Sequence, residues 1–256
     1  MNAPTLSITA LNGVPTVQQG ADLAEITIDA LRASSIQIAD GDILVYAQKV
    51  VSKAEGRRVS LKSIVPSQRA IELAEKSQKD PRVVELILSE SVEVLRCRPG
   101  AIIVEDKRGF VMAHAGIDAS NVEGEDGEES VLLLPENPDA SARGICERIQ
   151  EITSAKVGVI INDSFGRAWR MGTVGTAIGV SGLPALLDLR GKPDRTGRLL
   201  QSTELGVADE VAAAASLMMG QASEGRPIVH VRGFPYSMTE GKAGDLVRPR
   251  HMDLFR

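Results

Sequence analysis

The sequence contains few cysteines and few aromatic residues. Cys97 and Cys146 are the only cysteines among 256 residues, which is too few for a disulfide framework. No CxxC or histidine-rich spacing indicates a zinc site. Phe, Trp and Tyr make up 3% of the chain, so a base-stacking platform for single-stranded nucleic acid is not expected. The cysteine usage fits a reducing compartment.

Long apolar runs and an excess of basic residues are also missing. No run approaches the ~20 apolar residues that span a bilayer, and the N-terminus, MNAPTLSITALNGVP, lacks the pattern of a signal peptide. We therefore expect a cytoplasmic protein without a membrane partner. The net charge of −5 and the pI near 5.4 argue against a nucleic-acid partner, which a basic surface would bind.

The elements that the sequence predicts indicate an α+β fold. The chain is 43% hydrophobic and 25% charged, enough for one large core or two smaller ones. Strand-like runs occur together with helical patterns. The sequence predicts a β-hairpin around Asp106 and helices that run from Asp22 through Leu31, that begin at Asp80-Pro81 and at Asn137-Pro138, and that cover Val207 to Met219. Because some connections are hairpin-like and others contain helices, we expect mixed, largely antiparallel sheets packed with helices. No GxxxxGK[ST] motif is present, so a Walker-type P-loop is excluded.

The stretch from Val157 to Gly182 is the most informative part of the chain. It begins with the apolar run VGVII, which is typical of a strand buried on both faces. Asn162, Asp163 and Ser164 follow directly, and glycines then interrupt the pattern. Arg167 and Arg170 place two cations close to Asp163 along the chain. Carboxylate, hydroxyl, cations and glycines together suit a metal-bound phosphate.

Simpler interpretations of the same polar residues stay open. By themselves Asp163 and Ser164 favour an ordinary turn, since Asp, Ser and Gly dominate turns. The residues Gln48 to Arg57 are typical of a solvated, mixed-charge loop. His114 is a candidate ligand or base, but a lone histidine at a strand end is more often structural.

Several motifs in register carry a resemblance to a known family. The motifs are VVSKAEGR (50–57), AGIDASNVE (115–123), VGVIINDSFGR (157–167), GTAIGVSG (175–182) and ADEVAAAASLMMGQ (208–221). Through them the chain resembles the coenzyme F420-0:L-glutamate ligase (gamma-glutamyl ligase) family from about Ser7 to Phe234. Such a set in order is far more specific than any single loop signature.

The resemblance implies a GTP-dependent acid–amino-acid ligase. Members join L-glutamate to the phospholactyl carboxylate of the deazaflavin F420-0, and many add a further gamma-linked glutamate. From the chemistry we expect an acyl phosphate with release of GDP and phosphate, because a carboxylate must gain a leaving group before an amine can attack it. The implied cofactors are two divalent ions, Mg²⁺ or Mn²⁺, with GTP as co-substrate and a monovalent cation such as K⁺ as a further candidate. The family is also dimeric, with an unusual mixed fold.

The resemblance also implies a set of site residues. The metal ligands would be Asp118, Asp163, Ser164 and Gln221, all with the hard oxygen donors that Mg²⁺ or Mn²⁺ prefers. The chemistry of phosphoryl transfer, independently of the resemblance, leads us to expect Lys53, Arg167 and Arg170 as the cations that neutralise the γ-phosphoryl group, with Lys53 and Arg167 as catalytic residues. The nucleotide contacts would be Val14, Pro15, Thr16, Val17, Gln48, Lys49, Lys53, Asn121, Met219, Gly220, Gln221, Ala222, Ser223, Glu224, Gly225 and Arg226.

Two alternative functions stay open. The chain could ligate a different carboxylate, or it could bind metal and nucleotide without catalysis.

We expect a discontinuous main domain formed by residues 1–165 and 206–256, which binds the metal and the nucleotide. Residues 166–205 would form an inserted glycine-rich subdomain. The segment Arg170 to Gln201 is expected to contribute to a homodimer interface, because part of it is too apolar for water.

Overall fold

A computed structural model describes residues 3–118 and 129–254. Its strands are β1 (Ser7–Ala10), β2 (Ile43–Ala47), β3 (Arg58–Ser60), β4 (Ser91–Arg98), β5 (Ala101–Asp106), β6 (Val111–Ala113), β7 (Ser130–Leu132), β8 (Gly158–Arg167), β9 (Arg170–Ser181), β10 (Leu187–Asp188), β11 (Glu204–Leu205) and β12 (Ile228–Arg232). Its α-helices are α1 (Leu23–Ala33), α2 (Gln48–Ala54), α3 (Gln68–Ser77), α4 (Pro81–Ser89), α5 (Pro138–Thr153) and α6 (Val207–Met219).

The largest sheet within the described residues has five strands in the order β1-β12-β2-β8-β9. The pairs are antiparallel except for β2 and β8, which run parallel. A second sheet, β4-β5-β6, and the pair β3-β7 are antiparallel. The expected α+β fold with mixed, largely antiparallel sheets is confirmed.

Local sequence signals account for the helix starts. The carboxylate of Asp22 accepts hydrogen bonds from the backbone N–H groups of Ala24 and Glu25 at 2.9 and 3.1 Å, which caps α1. Asp80 and Pro81 begin α4, and Asn137 and Pro138 begin α5, in the same way. The expected hairpin around Asp106 is the β5–β6 pair.

Two expectations about local structure were wrong. Residues 48–54, expected as a solvated loop, form α2, and its side chains Gln48, Val51 and Ser52 are buried. The glycines after Ser164 do not break the path, because Arg170–Ser181 is a twelve-residue strand that pairs with β8. In both places tertiary packing overrides the local composition.

The main core lies on both faces of the five-stranded sheet. Its strands contribute fully buried apolar residues such as Val45, Ile160 and Val229, while α5 and α6 pack against β9. Residues 177–185 share this core with the rest of the chain. The expected division at 166–205 stays a prediction. Among the described residues, no helix is both long enough and apolar enough to cross a membrane.

Candidate functional site

The candidate site lies where the parallel pair β2–β8 ends. The last partners are Ala47 and Asn162. Beyond them, β2 gives way to α2, while β8 continues into the hairpin with β9. The carboxyl ends of parallel strands are a common place for ligands, because loops diverge there and leave a crevice. Gln48 and Lys49 therefore come to lie next to Asp163 and Ser164.

A cleft of about 650 Å³ opens at this point. The N-terminal loop, the start of α2, the end of β8 and the loop after α6 form its walls. The predicted residues that line it are Val14, Pro15, Thr16, Val17, Gln48, Lys49, Lys53, Asp163, Ser164, Met219, Gly220, Gln221, Ala222, Ser223, Glu224, Gly225 and Arg226. Asn121, also a predicted nucleotide contact, lies outside the described residues. The roles of these residues stay predictions.

Two carboxylates and a lysine meet on one face of β8. Lys49 Nζ lies 2.6 Å from Asp118 Oδ2. Burial first, and then the nearby Asp118 charge, raise the pKa of Asp163 to about 6, against the opposing effects of the hydrogen bond from the Ser164 backbone and of the Lys49 charge. The structure thus brings together two acids that 45 positions separate in the chain. Two carboxylates brought this close together favour a bound cation between them.

The opposite face of β8 carries a hydrogen-bond chain. Ser164 Oγ donates to Gln221 Oε1 at 2.9 Å. Gln221 Nε2 donates to Ser216 Oγ at 3.0 Å, which leaves the amide oxygen of Gln221 turned toward Ser164. The two faces together offer two carboxylates, a hydroxyl and an amide oxygen beside one cleft. This donor set fits Mg²⁺ or Mn²⁺.

Close packing of β9 on α6 holds this second face in place. A Cβ atom on Gly175 would lie 2.5 Å from the Ala212 carbonyl oxygen and 2.7 Å from both Asn162 Oδ1 and Ser216 Cβ. Gly175 therefore allows α6 to approach the hairpin. Asn162 is buried beside it and donates from Nδ2 to the Met219 sulfur at 3.4 Å.

The loop after α6 has a conformation that two residues enforce. Gly220 has φ of +76°, where a side chain is strained, and a Cβ there would also collide with Glu224. The Glu224 carboxylate accepts from the Ala222 backbone N–H at 2.8 Å, and this bond lowers the pKa of Glu224. The loop is thus closed on itself along the edge of the cleft.

The cations are arranged differently from the sequence-based expectation. Lys53 lines the cleft, and burial first, then the charges of Arg58 and Lys49, lower its pKa. Arg167 is exposed, is absent from the cleft lining, and donates to the Met171 carbonyl oxygen at 3.1 Å. Four strand positions beyond Asp163 correspond to about 13 Å. The catalytic role of Arg167 stays a prediction that this placement does not support.

His114 lies in a different environment from the acids. Burial and the Lys79 charge lower its pKa, and Gly100 contacts it through a backbone hydrogen bond. Its ring is therefore directed toward the β4–β5 turn.

Within residues 3–118 and 129–254, no group of three or more His, Cys, Asp or Glu side chains could hold a metal ion. A metal site formed by the predicted ligands would therefore use the hydroxyl and amide oxygens as well.

Comparison with known proteins identifies the family. The family described as F420-0:Gamma-glutamyl ligase matches residues 13–233. The chain belongs to this family. It is 46% identical over 253 residues to "Coenzyme F420:L-glutamate ligase" of Methanothermobacter thermautotrophicus, covering 98% of this chain and 99% of the relative. Relatives with the same name occur in Methanocaldococcus jannaschii (47% over 219 residues, 86% of each chain) and Methanopyrus kandleri (45% over 257 residues, 99% of this chain and 98% of the relative).

Some residues of this ligase-family site were missed by sequence reasoning. Ser216 was seen only as part of a helix, and Gly175 only as part of a motif, because their roles depend on contacts between α6 and the hairpin. Lys49 was predicted as a nucleotide contact, but not as the partner of Asp118. A sequence signal for Lys49 existed, since it follows a buried strand that could pair with the strand before Asp163.

Proposed function

We propose that the protein joins L-glutamate to the phospholactyl carboxylate of F420-0 with GTP as co-substrate, and that it then can add a gamma-linked glutamate. One observation carries this proposal. Three predicted metal ligands, Asp163, Ser164 and Gln221, line the same cleft as the predicted nucleotide contacts, and Asp118 forms an ion pair with Lys49, which also lines it. Family membership and the names of the relatives support the identity of the two substrates. The size of the cleft, about 650 Å³, suits one nucleotide.

The chemistry requires activation of the acid. A carboxylate does not react with an amine at neutral pH until one of its oxygens becomes a leaving group. The carboxylate oxygen attacks the γ-phosphorus of GTP, the bond from this phosphorus to the bridging oxygen breaks, and GDP leaves. The amine of glutamate then attacks the acyl carbon and the carbon–oxygen bond to phosphate breaks. The α-ammonium group of glutamate loses one proton to solvent to become the attacking amine, and the departing phosphate takes the second proton.

Several residues of the cleft would contribute to this reaction. Lys53 and Arg226 line the cleft and would neutralise phosphate oxygens, while Lys49 would hold Asp118 in position through their ion pair. The carboxylates of Asp118 and Asp163 on one face, and the oxygens of Ser164 and Gln221 on the other, would hold two divalent ions. Such ions supply charge neutralisation of the outer phosphates during transfer. Positioning and electrostatics then provide most of the rate enhancement.

Product analysis tests the proposal. Purified protein is incubated with F420-0, glutamate, GTP and Mn²⁺, and mass spectrometry and chromatography follow the products. We expect GDP and inorganic phosphate to form one for one with the amide, and Lys53→Ala to lower this rate strongly with the fold unchanged. Formation of GMP and pyrophosphate would contradict the acyl-phosphate route, because the attack would then be at the α-phosphorus.

Omitting one substrate at a time separates the alternatives. GTP consumption that requires both the acid and glutamate is expected of a ligase. If GTP is bound but never consumed, the protein is a metal- and nucleotide-binding protein without catalysis. If another carboxylic acid replaces F420-0 with a higher kcat/KM, the chain is an amide ligase for that acid. Hydroxylamine added without glutamate should trap an acyl hydroxamate if activation precedes amine binding.

A homodimer is part of the proposal. The tip of the β8–β9 hairpin exposes Trp169 and Met171 almost completely, and Leu199, also in the segment expected at the interface, is half-exposed. Large exposed apolar side chains on one hairpin are typical of an interface. Light scattering should give twice the chain mass of 27.2 kDa at micromolar concentration. The double substitution Trp169→Gln, Met171→Gln should shift the mass toward the monomer, whereas a wild-type monomer would contradict the proposal.

A further inference from the structure

A second cavity lies beside the acid pair, on the far side of β8 from the loop after α6. It has a volume of about 280 Å³, close to the lower end of about 300 Å³ for small-molecule pockets. Phe110, Val111, Phe165 and Val247 give it a largely apolar lining, with Asp209, Arg248 and Asp253 as its charged groups. We propose that it binds the deazaflavin ring of the acid substrate. This inference rests on the function proposed above.

Strand geometry connects this cavity to Asp163. Side chains two positions apart on a strand share a face, so Phe165 lies on the same face of β8 as Asp163. Thr176, which also lines the cavity, is the cross-strand partner of Asp163, and directly opposite side chains have Cβ atoms about 5 Å apart. The cavity therefore begins at Thr176, directly across the strand pair from the Asp163 carboxylate.

A second segment makes the same connection. Phe110 packs edge-on against Phe165, with ring centroids 6.1 Å apart at 75°. The chain then continues through β6 to Asp118, which reaches Lys49 at the acid pair. One stretch of nine residues thus runs from the cavity to the predicted phosphoryl-transfer position. A ring bound in the cavity would leave its acidic tail free to extend along this face toward Asp163.

The chemistry of the lining matches a planar heterocycle. The two phenylalanine rings and the valines contact apolar ring faces, and aromatic side chains favour edge or offset contacts with other rings. The pyrimidine-dione edge of a deazaflavin offers carbonyl oxygens and an N–H group. Arg248 can donate to the former and Asp209, already an acceptor for the Ala177 backbone N–H at 2.9 Å, can accept from the latter.

Other cavities are less suitable for the acid substrate. The one lined by Cys146, Ser181 and Glu240 lies at the opposite ends of β8 and β9. The one between α1 and α5, lined by Asp22 and Arg148, is formed by helices on the outside of the sheet. The main cleft suits the nucleotide. The proposed ring cavity is adjacent to the acid pair through both Phe165 and Thr176.

Two exposed valines of the β4-β5-β6 sheet provide a cavity variant and its matched control. Val111 is 43% exposed and lines the cavity, whereas Val92, 67% exposed in the same β4-β5-β6 sheet, does not. Val111→Asp places a charge in the apolar lining, and Val92→Asp is the control. Val247→Trp, which fills the cavity, is a second variant. The probe is a 5-deazaflavin riboside without the phospholactyl tail, and equilibrium dialysis measures its Kd.

We expect Val111→Asp and Val247→Trp each to weaken riboside binding by roughly tenfold or more, since each removes apolar contact or adds an unpaired charge. Both should raise KM for F420-0 with KM for GTP unchanged, and Val92→Asp should match wild type. If both variants keep the wild-type Kd and KM, the ring binds elsewhere, although amide formation would still support the proposed function. If wild type forms no amide from F420-0, the function fails and the riboside Kd values alone decide the cavity.

Discussion

Replacement of Asp163 by asparagine should stabilise the metal-free protein at neutral pH. The same substitution should remove most of the stabilisation that bound Mn²⁺ gives to the wild type. The pKa of Asp163 is raised from its ordinary value of 3.8 to about 6, first by burial and also by the Asp118 charge. The ionised form is thus less favourable in the folded chain than in the unfolded one. This unfavourable contribution is fully present above about pH 6, falls as the pH drops through this value, and is absent below 3.8.

The pKa difference sets the size of the effect. At about 1.36 kcal/mol per pKa unit, the change from 3.8 to about 6 corresponds to an upper limit of about 3 kcal/mol. Because the side chain is not fully buried, solvent screening reduces this, and we expect Asp163→Asn to raise the free energy of unfolding by about 1 to 3 kcal/mol at about pH 8. Asn can still accept the hydrogen bond from the Ser164 backbone, so other contacts change little.

Urea unfolding of both proteins at equal concentration, at about pH 8 and about pH 4, measures the effect. The difference in free energy of unfolding between variant and wild type should largely vanish at the lower pH. Comparison of the two proteins at each pH cancels the contributions from other groups. Mn²⁺ at a hundredfold excess over its Kd should add about 2.7 kcal/mol to wild type and much less to the variant. A destabilised variant at the higher pH, or an equal difference at both, would refute the argument that Asp163 carries an unfavourable buried charge.

Three further substitutions test the surroundings of Asp163. Gly175→Ala should cost about 1–3 kcal/mol by overpacking, measured by urea unfolding, whereas Gly166→Ala, where a Cβ meets nothing within 4 Å, should be close to neutral. Lys49→Met removes a charge that lowers the pKa of Asp163, so the pH of half-maximal Mn²⁺ binding should rise; an unchanged pH would show that Lys49 does not interact with the acid. Ser216→Ala should weaken Mn²⁺-dependent stabilisation while the metal-free stability falls by only about 1 kcal/mol, and unchanged metal binding would show that the serine does not orient the amide.

The sequence predicts those parts of the fold that local signals determine. The helix Val207–Met219 has the predicted bounds, because a glycine follows it and apolar residues fill it. The capped starts at Asp22, Asp80 and Asn137 are also found where expected. Asp163 and Ser164 were identifiable as candidates because they follow a buried apolar run. In each case the signal lies within a few residues of the feature.

Features that depend on distant contacts were not predicted. Residues 170–176 contain two glycines, which disfavour a strand, yet they form part of β9 because β8 supplies a partner and α6 covers one side. The mixed-charge run after Ala47 forms α2 because Val50 and Val51 reach the main core. Ser216 orients Gln221 only through packing of α6 on the hairpin. Composition within a short window contains none of this information.

Strand alternation explains how β8 serves both faces of the site. Consecutive side chains on a strand point to opposite faces, so Asp163 is directed toward Asp118 and Ser164 toward Gln221. The register between β8 and β9 shifts after Ile161, because Asn162 pairs with Ala177 and Ile178 is the extra residue of a bulge on β9. Without this bulge, β9 would be displaced by one residue against Asp163 and Ser164, and Gly175 would no longer lie opposite Ser164. The position of the bulge therefore places a residue without a side chain at the point where α6 approaches the hairpin.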